Sequence, residues 1–326
     1  MKQVVKVGSR GSALALWQSE HVIGLLKAAH PDLAFELVII KTQGDKILDV
    51  PLARIGDRGL FVKEIEEAML EGRIDLAVHS LKDLPTVQPE GLVLAAIPPR
   101  EDVRDALCGR DGMTLDQLPE GAKIGTGSPR RAAQLRAYRQ DLVIVDIRGN
   151  VPTRLGRVKG VGDTHDDGSV GRATQGDLDA VILAAAGMRR LGLEQHITEY
   201  LDPSIMLPAP GQGALALETR TAGTGHAELD QALARFDDLH TRLQVEAERA
   251  LLNQLEAGCA APIGALASVQ DGELVLDAVA CNPDGSEVMR RSAKAPLADV
   301  AAAQALGRGL ANGMLADGAA VVAGLA

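Results

Sequence analysis

The sequence predicts an α/β protein in which two α/β domains flank a cleft, followed by a smaller α+β domain. Three observations carry that expectation. Apolar, strand-like runs alternate with amphipathic helical stretches as far as about residue 190, the rhythm of βαβ units and a mostly parallel sheet. Proline and glycine break the rhythm at "PPRED" (98–102) and "LPAPGQG" (207–213), where chain crossings belong. The length, 326 residues, suits two or three domains. The expected division is 1–98 with 214–232, then 99–213, then 233–326.

The elements follow in order. "VVKVGSR" reads as a strand entering a turn, after which Ser12 can cap a helix carrying Leu14, Trp17, His21 and Leu25 on one stripe. "FELVIIKT" (35–42) is rich in β-formers, and "LFVKEIEEAMLEG" (60–72) is an amphipathic helix stopped by Gly72. "IDLAVHS" (74–80) is a buried-type strand that runs into the loop "LKDLP". The second domain repeats the pattern with "KIGTGS", an Arg-bearing helix, and strands "DLVIVDIRG" (141–149) and "DAVILAAAG" (179–187). Residues 159–178 form a Gly- and Asp-rich insertion, and "LPAPGQGALALETR" (207–220) ends in a further strand. The last domain reads as a helix over about 239–256, a Gly-Cys loop, two strands and an Ala-rich helix.

Composition excludes several functions. Aromatic residues are only 2%, too few for the stacking platforms of single-stranded nucleic-acid sites. A net charge of −10 argues against the broad basic face that duplex DNA requires. The opening "MKQVVKVGSR" lacks the apolar core of a signal peptide, and no later run is apolar enough for a membrane span. Cys108, Cys259 and Cys281 are odd in number and widely spaced, which fits a reducing cytoplasm better than a disulfide framework. Asp163, His165, Asp166 and Asp167 fall in the Gly-rich insertion and read as a solvated loop, so no metal is expected.

The 24 arginines, against 10 lysines, recur where strands end. "GTGSPRR" places Thr126 and Ser128 before Pro129, with Arg130 and Arg131 in the first turn, so that hydroxyls, free helix N–H groups and guanidiniums converge on an anion. "GSRGS" puts Arg10 and Ser12 after the first strand, "DIRGNVPTR" puts Arg148 and Arg154 after another, and "MRRLG" adds Arg189 and Arg190. So many cations imply a ligand with several negative groups. In the "LKDLP" loop, Lys82 and Asp83 set a carboxylate among them, suited to stabilising positive charge that develops in a reaction. His79 lies within the apolar strand and reads as a core histidine, and Cys108 and Cys281 read as packing. Cys259, flanked by small residues in "EAGCAAPIG", is an approachable thiol with no nearby histidine, a nucleophile or a covalent anchor.

In unbroken order from about residue 4 to the end, "GSRGSALALWQ", "GLFVKEIE", "AVHSLKDLP", "GTGSPRR", "RGNVPTRL", "LPAPGQGALALE" and "AERALLNQLEAGCAAPIG" resemble the porphobilinogen deaminase (hydroxymethylbilane synthase) family. The resemblance implies two periplasmic-binding-protein-like α/β domains with a cleft between them, plus a small C-terminal α+β domain. It implies head-to-tail condensation of porphobilinogen into a linear tetrapyrrole with release of ammonia. Cys259 would carry a dipyrromethane cofactor through a thioether, and Asp83 would be the catalytic carboxylate. Lys82, Thr126, Ser128, Arg130 and Arg131 match cofactor contacts. Arg10, Ser12, Arg148, Arg154 and Arg190 match substrate contacts, and Phe61, Gln212 and Arg249 fall on further motif positions. Each pyrrole bears an acetate and a propionate, so the growing chain is a polyanion, which answers to the arginines. Two positions depart from the family: Gly127 replaces a common hydroxyl, and Ala260 a frequent polar residue. The expected protein is a monomer without nucleic-acid or membrane partners. The rival expectation, a binding protein for small anions on the same scaffold, would show neither a covalent adduct nor ammonia release.

Overall fold

The computed structural model describes residues 4–42, 62–161, 176–256 and 261–325. Phe61, Cys259, Ala260 and the four candidate metal ligands of the insertion, Asp163, His165, Asp166 and Asp167, lie outside them. The chain divides into two compact units. Of the described residues, the first holds 4–42, 62–101 and 214–242, the second the remainder.

The first unit is a five-stranded sheet of β1 (Val4–Ser9), β2 (Ala34–Ile39), β3 (Leu76–Ser80), β4 (Leu92–Ala96) and β10 (Leu215–Arg220), in the order β2-β1-β3-β10-β4. β1 runs parallel to β2 and β3, and β10 is antiparallel to both its neighbours. Strand alternation sends Val5, Val7, Leu76, Val78 and Leu217 to one face, against α1 (Ala13–Ala29) and α6 (Ala227–Phe236). Ala77 goes to the other face, against Ile65, Ala68 and Met69 of α2 (Lys63–Leu70). Both faces are thus covered, which is why these strands read as continuous apolar runs.

Ser12 caps α1 as expected, its side chain accepting from Ala15 N at 3.4 Å. The stripe expected to be buried is displaced, however. Gln18, Ser19, Val22, Ile23 and Leu26 face the core, whereas His21 and Leu25 are exposed and Trp17 stacks on His21 at 4.8 Å. Apolar residues occur all round this helix, so periodicity alone did not select the face. Gly72 takes a φ of 71° just after α2, the left-handed stop its position suggests.

The second unit carries a sheet of β5 (Asp105–Gly109), β6 (Lys123–Gly125), β7 (Val143–Val145), β8 (Ala180–Ala184) and β9 (Glu199–Tyr200), in the order β7-β6-β8-β5-β9. β6 is parallel to β7 and β8, and β5 is antiparallel to β8. The helices are α3 (Pro129–Tyr138), α4 (Val151–Leu155) and α5 (Ala185–Arg190). Two expected strands are shorter than read: β7 spans three residues, and the second half of "DAVILAAAG" is the start of α5. Small alanines fit either element, and packing decides.

The C-terminal segment begins with α7 (Leu239–Gln254) and adds β11 (Ile263–Gln270), β12 (Glu273–Cys281), β13 (Val288–Pro296) and α8 (Val300–Ala316). Its sheet is an antiparallel meander of three strands rather than two. β13, "VMRRSAKAP", is a polar edge strand and so gave no apolar signal. From Leu243 onward the segment clusters with the second unit. Three contacts explain that grouping. Arg136 Nη1 donates to Pro283 O at 2.7 Å, Ala133 and Leu207 pack with Val279 and Cys281, and buried Glu248 accepts from Gly211 N and Ala267 N at 2.7 and 2.8 Å.

Candidate active site

In each sheet the parallel strands deliver their following segments to their carboxyl ends, and most of the residues singled out by sequence sit on those segments, either in the loops or in the short helices that follow. In the first unit, β1 is followed by Arg10 and Ser12, and β3 by Lys82 and Asp83. Residues Leu81–Asp83 form a single 3-10 turn, closed by Leu84 N donating to Leu81 O at 3.1 Å. Leu81 N is tied to Ala214 O at 3.0 Å, and buried Leu81 and Leu84 bracket the turn. The result is a rigid base that leaves Asp83 exposed and Lys82 half-buried.

In the second unit, β6, β7 and β8 lead into Thr126 and Ser128, Arg148 and Arg154, and Arg189 and Arg190 respectively. Thr126 N donates to Val145 O at 3.0 Å, and Thr126 Oγ1 accepts from Ser128 N at 3.2 Å. Ser128 caps α3 by accepting from Arg131 N, and Pro129 occupies the first turn. A side chain at Gly127 would bring its Cβ within 2.6 Å of Ile147 O, so the turn closes tightly on the loop after β7. Arg154 Nε donates to Gly149 O at 2.8 Å, and Arg190 Nη2 donates to Gly213 O at 2.6 Å. Arg189 pairs with Asp102 and Glu194.

Arg130 and Arg131 take a different place from the one the sequence suggests. Both are buried, and the carboxylate they meet is the protein's own Asp105. Arg130 Nη1 donates to Asp105 Oδ2 and Leu207 O at 2.7 and 2.6 Å. Arg131 donates through Nε and Nη2 to Asp105 Oδ1 at 3.0 and 2.7 Å, and through Nη1 to Ile182 O at 3.0 Å. Gln212, also fully buried, donates to Asp105 Oδ1 and Val103 O at 2.9 and 2.8 Å. Burial alone would raise the Asp105 pKa. Arg130 and Arg131 outweigh it and hold the carboxyl well below the usual carboxylate range. Sequence reasoning missed Asp105, although an aspartate heading the apolar run "DALCG" was the signal: a charge there needs a buried partner.

His79 lies in the core as expected, its Nε2 3.1 Å from Glu218 Oε2. Cys108 and Cys281 are buried, and burial pushes their thiols up to about 12 and about 11, which suits packing rather than reactivity. Arg249 is buried on α7. Among the described residues, no helix is long and apolar enough to cross a membrane.

Residues 5–228 match the family model for the porphobilinogen deaminase dipyromethane cofactor binding domain, and residues 242–316 match the model for the porphobilinogen deaminase C-terminal domain. The chain belongs to the porphobilinogen deaminase family. It is 53% identical to porphobilinogen deaminase from Cutibacterium acnes, covering 98% of this chain and 97% of that one, and 50% identical to the enzyme from Micrococcus luteus, covering 98% and 94%. Among solved structures it is similar to the methionine binding protein MetQ, with a TM-score of 0.43 and 14% identity, over 71% of this chain and 89% of that one. The activity is therefore that of a hydroxymethylbilane synthase, a transferase that condenses porphobilinogen into a linear tetrapyrrole with a dipyrromethane cofactor. A binding protein without catalysis is not what this family is. The chemistry of the residues that follow β6, β7 and β8, the hydroxyls of Thr126 and Ser128 and the guanidiniums of Arg148, Arg154 and Arg190, fits carboxylate groups such as the acetates and propionates of a dipyrromethane or of porphobilinogen.

Proposed function

We propose that Asp83 is the catalytic carboxylate of this deaminase and Cys259 the covalent anchor of its dipyrromethane. The observation that carries the first half is the turn itself: an exposed carboxylate on a short, hydrogen-bonded base at the carboxyl end of β3, in the same unit as Arg10, Ser12 and Lys82. A carboxylate so held is ready to accept the pyrrole N–H of a substrate that becomes cationic as ammonia leaves, with little reorganisation. When bound, the dipyrromethane supplies the primer end onto which substrate units are added.

The remaining residues hold negative charge. Thr126, Ser128, Arg148, Arg154 and Arg190 are assigned to acetate and propionate groups in the second unit, and Arg10, Ser12 and Lys82 to those in the first. Arg130 and Arg131 contribute as a pair: two guanidiniums on one carboxylate leave a surplus positive charge at the loop after β6, while Gln212 orients Asp105. Phe61 and Arg249 are assigned to the same ligand by their motif positions. The chain is proposed to act as a cytoplasmic monomer with no nucleic-acid partner.

The decisive experiment is intact mass followed by peptide mapping. The expected result is an excess equal to two porphobilinogens less two ammonias, on Cys259. An excess on another residue removes Cys259 from the role. Asp83→Asn should keep that mass and lose turnover by on the order of a hundredfold or more, and near-parental bilane formation would remove Asp83 from the mechanism.

A further inference from the structure

β3 ends at His79 and Ser80, whose side chains leave the sheet on opposite faces. On the α1 face, buried Gln18 donates through Nε2 to Ser80 Oγ at 2.9 Å. On the α2 face, His79 meets Glu218 of β10, and Glu66 of α2 interacts electrostatically with both. Glu218 is fully buried, and His79 and Glu66 are more than nine-tenths buried. Among the described residues, Glu66 Oε1 and Glu218 Oε1 have no hydrogen-bond partner. The buried hydrophobic residues of that layer are Ile40, Ile65, Ala68, Met69, Ile74, Ala77 and Leu92, and Arg220 of β10 reaches its border, donating through Nη1 to Met69 O and Ile74 O at 2.9 and 2.6 Å. Replacing a buried ion pair by apolar residues of similar volume is often neutral or stabilising, so a role beyond stability is worth seeking for this cluster.

We propose that His79 and Glu218, with Glu66 behind them, are positioning residues that fix the direction in which β3 presents Lys82 and Asp83. The proposal rests on the Asp83 reading above. Apolar packing leaves a strand free to rotate slightly, whereas a buried hydrogen bond is directional and strengthened by its low-dielectric surroundings. The grip falls one residue before Ser80. The same strand, β10, follows directly on Ala214, whose carbonyl holds Leu81 N. Among the described residues, the charged groups acting on Glu66 are Glu218 from β10, His79 from β3 and Glu67 on its own helix. Burial, then Glu218, pushes the Glu66 carboxyl up to about 6. Protonated, Glu66 spares the layer a like charge beside Glu218. Ionised, it adds a second negative charge to the layer.

The test uses the cofactor-loaded chain, with loading checked by mass. His79→Leu/Glu218→Leu should fold with unchanged or higher thermal stability and keep its KM, while kcat falls on the order of tenfold to a hundredfold through misplacement of the turn. Parental kcat would overturn the proposal. Glu66→Gln supplies a second, shape-preserving readout. Infrared difference spectra of the parent should show a protonated-carboxyl band that disappears as pH rises through about 6, together with an inflection in kcat, and the variant should lack both. Identical profiles in parent and variant would overturn it equally. Asp83→Asn in parallel separates the two readings: if it abolishes turnover while the double variant does not, only the positioning role falls.

Discussion

A carboxylate with no solvent exposure has to be matched, and Asp105 is matched by two guanidiniums and a carboxamide. Asp105→Asn keeps the shape and removes the charge, leaving Arg130 and Arg131 buried without a counter-ion. Urea denaturation should show a loss of about 3–5 kcal/mol, the usual consequence of breaking a buried ion pair from one side. Glu66 is the opposite case. Its folded pKa, about 6, lies above the ordinary 4.5, so the stability tied to its protonated form is complete below about 4.5 and is lost as pH rises through 6. Glu66→Gln should therefore be more stable than the parent by about 1–2 kcal/mol at pH 8, with the advantage vanishing at pH 4. Thermal unfolding at the two pH values checks the sign.

At the scale of elements, α7 and α8 cross where Gly307 leaves no room: a Cβ there would overlap the Ala247 carbonyl and come within 2.9 Å of Leu251 N. Gly307→Ala gains helix propensity yet should destabilise the second unit by about 1–3 kcal/mol, since backbone rather than a flexible side chain must give way. Elements whose local signals agree were legible in the sequence: the Ser12 and Ser128 caps, the left-handed Gly72 stop, and strands β1, β3, β6 and β8. So was the placement of Arg10, Lys82, Asp83, Thr126, Ser128 and Arg148 in the segments that follow strands, with Arg154 in the short helix α4 beyond, because βαβ connectivity dictates it. What depended on partners distant in sequence was not legible. The inward turn of Arg130 and Arg131 depends on an aspartate 25 and 26 residues away, the burial of Gln18 on Ser80, and β13 on a neighbour that makes a polar strand worth forming.

At the scale of the molecule, the C-terminal segment has its own sheet and its own core, yet it is bound to the second unit through Glu248, Arg136 and the patch around Cys281. A chain ending at Asp238 should lose slow hydrogen exchange in β6 and β8 while β1 and β3 keep theirs. Retained protection in β6 and β8 would make the segment an independent third domain. The order β2-β1-β3-β10-β4 has a further consequence, for a chain made from its amino end. β10 fills the gap between β3 and β4 but is separated from β4 by the first part of the second unit, from Asp102 to Gly213. Until residue 220 leaves the ribosome, β3 exposes one edge of unpaired amides and carbonyls and β4, which pairs only with β10 among the described strands, has both edges unpaired, open to the wrong neighbour. Glu218 arrives with that last strand, so the support beneath Asp83 is completed only after the arginine-bearing loops of the second unit have already been synthesised.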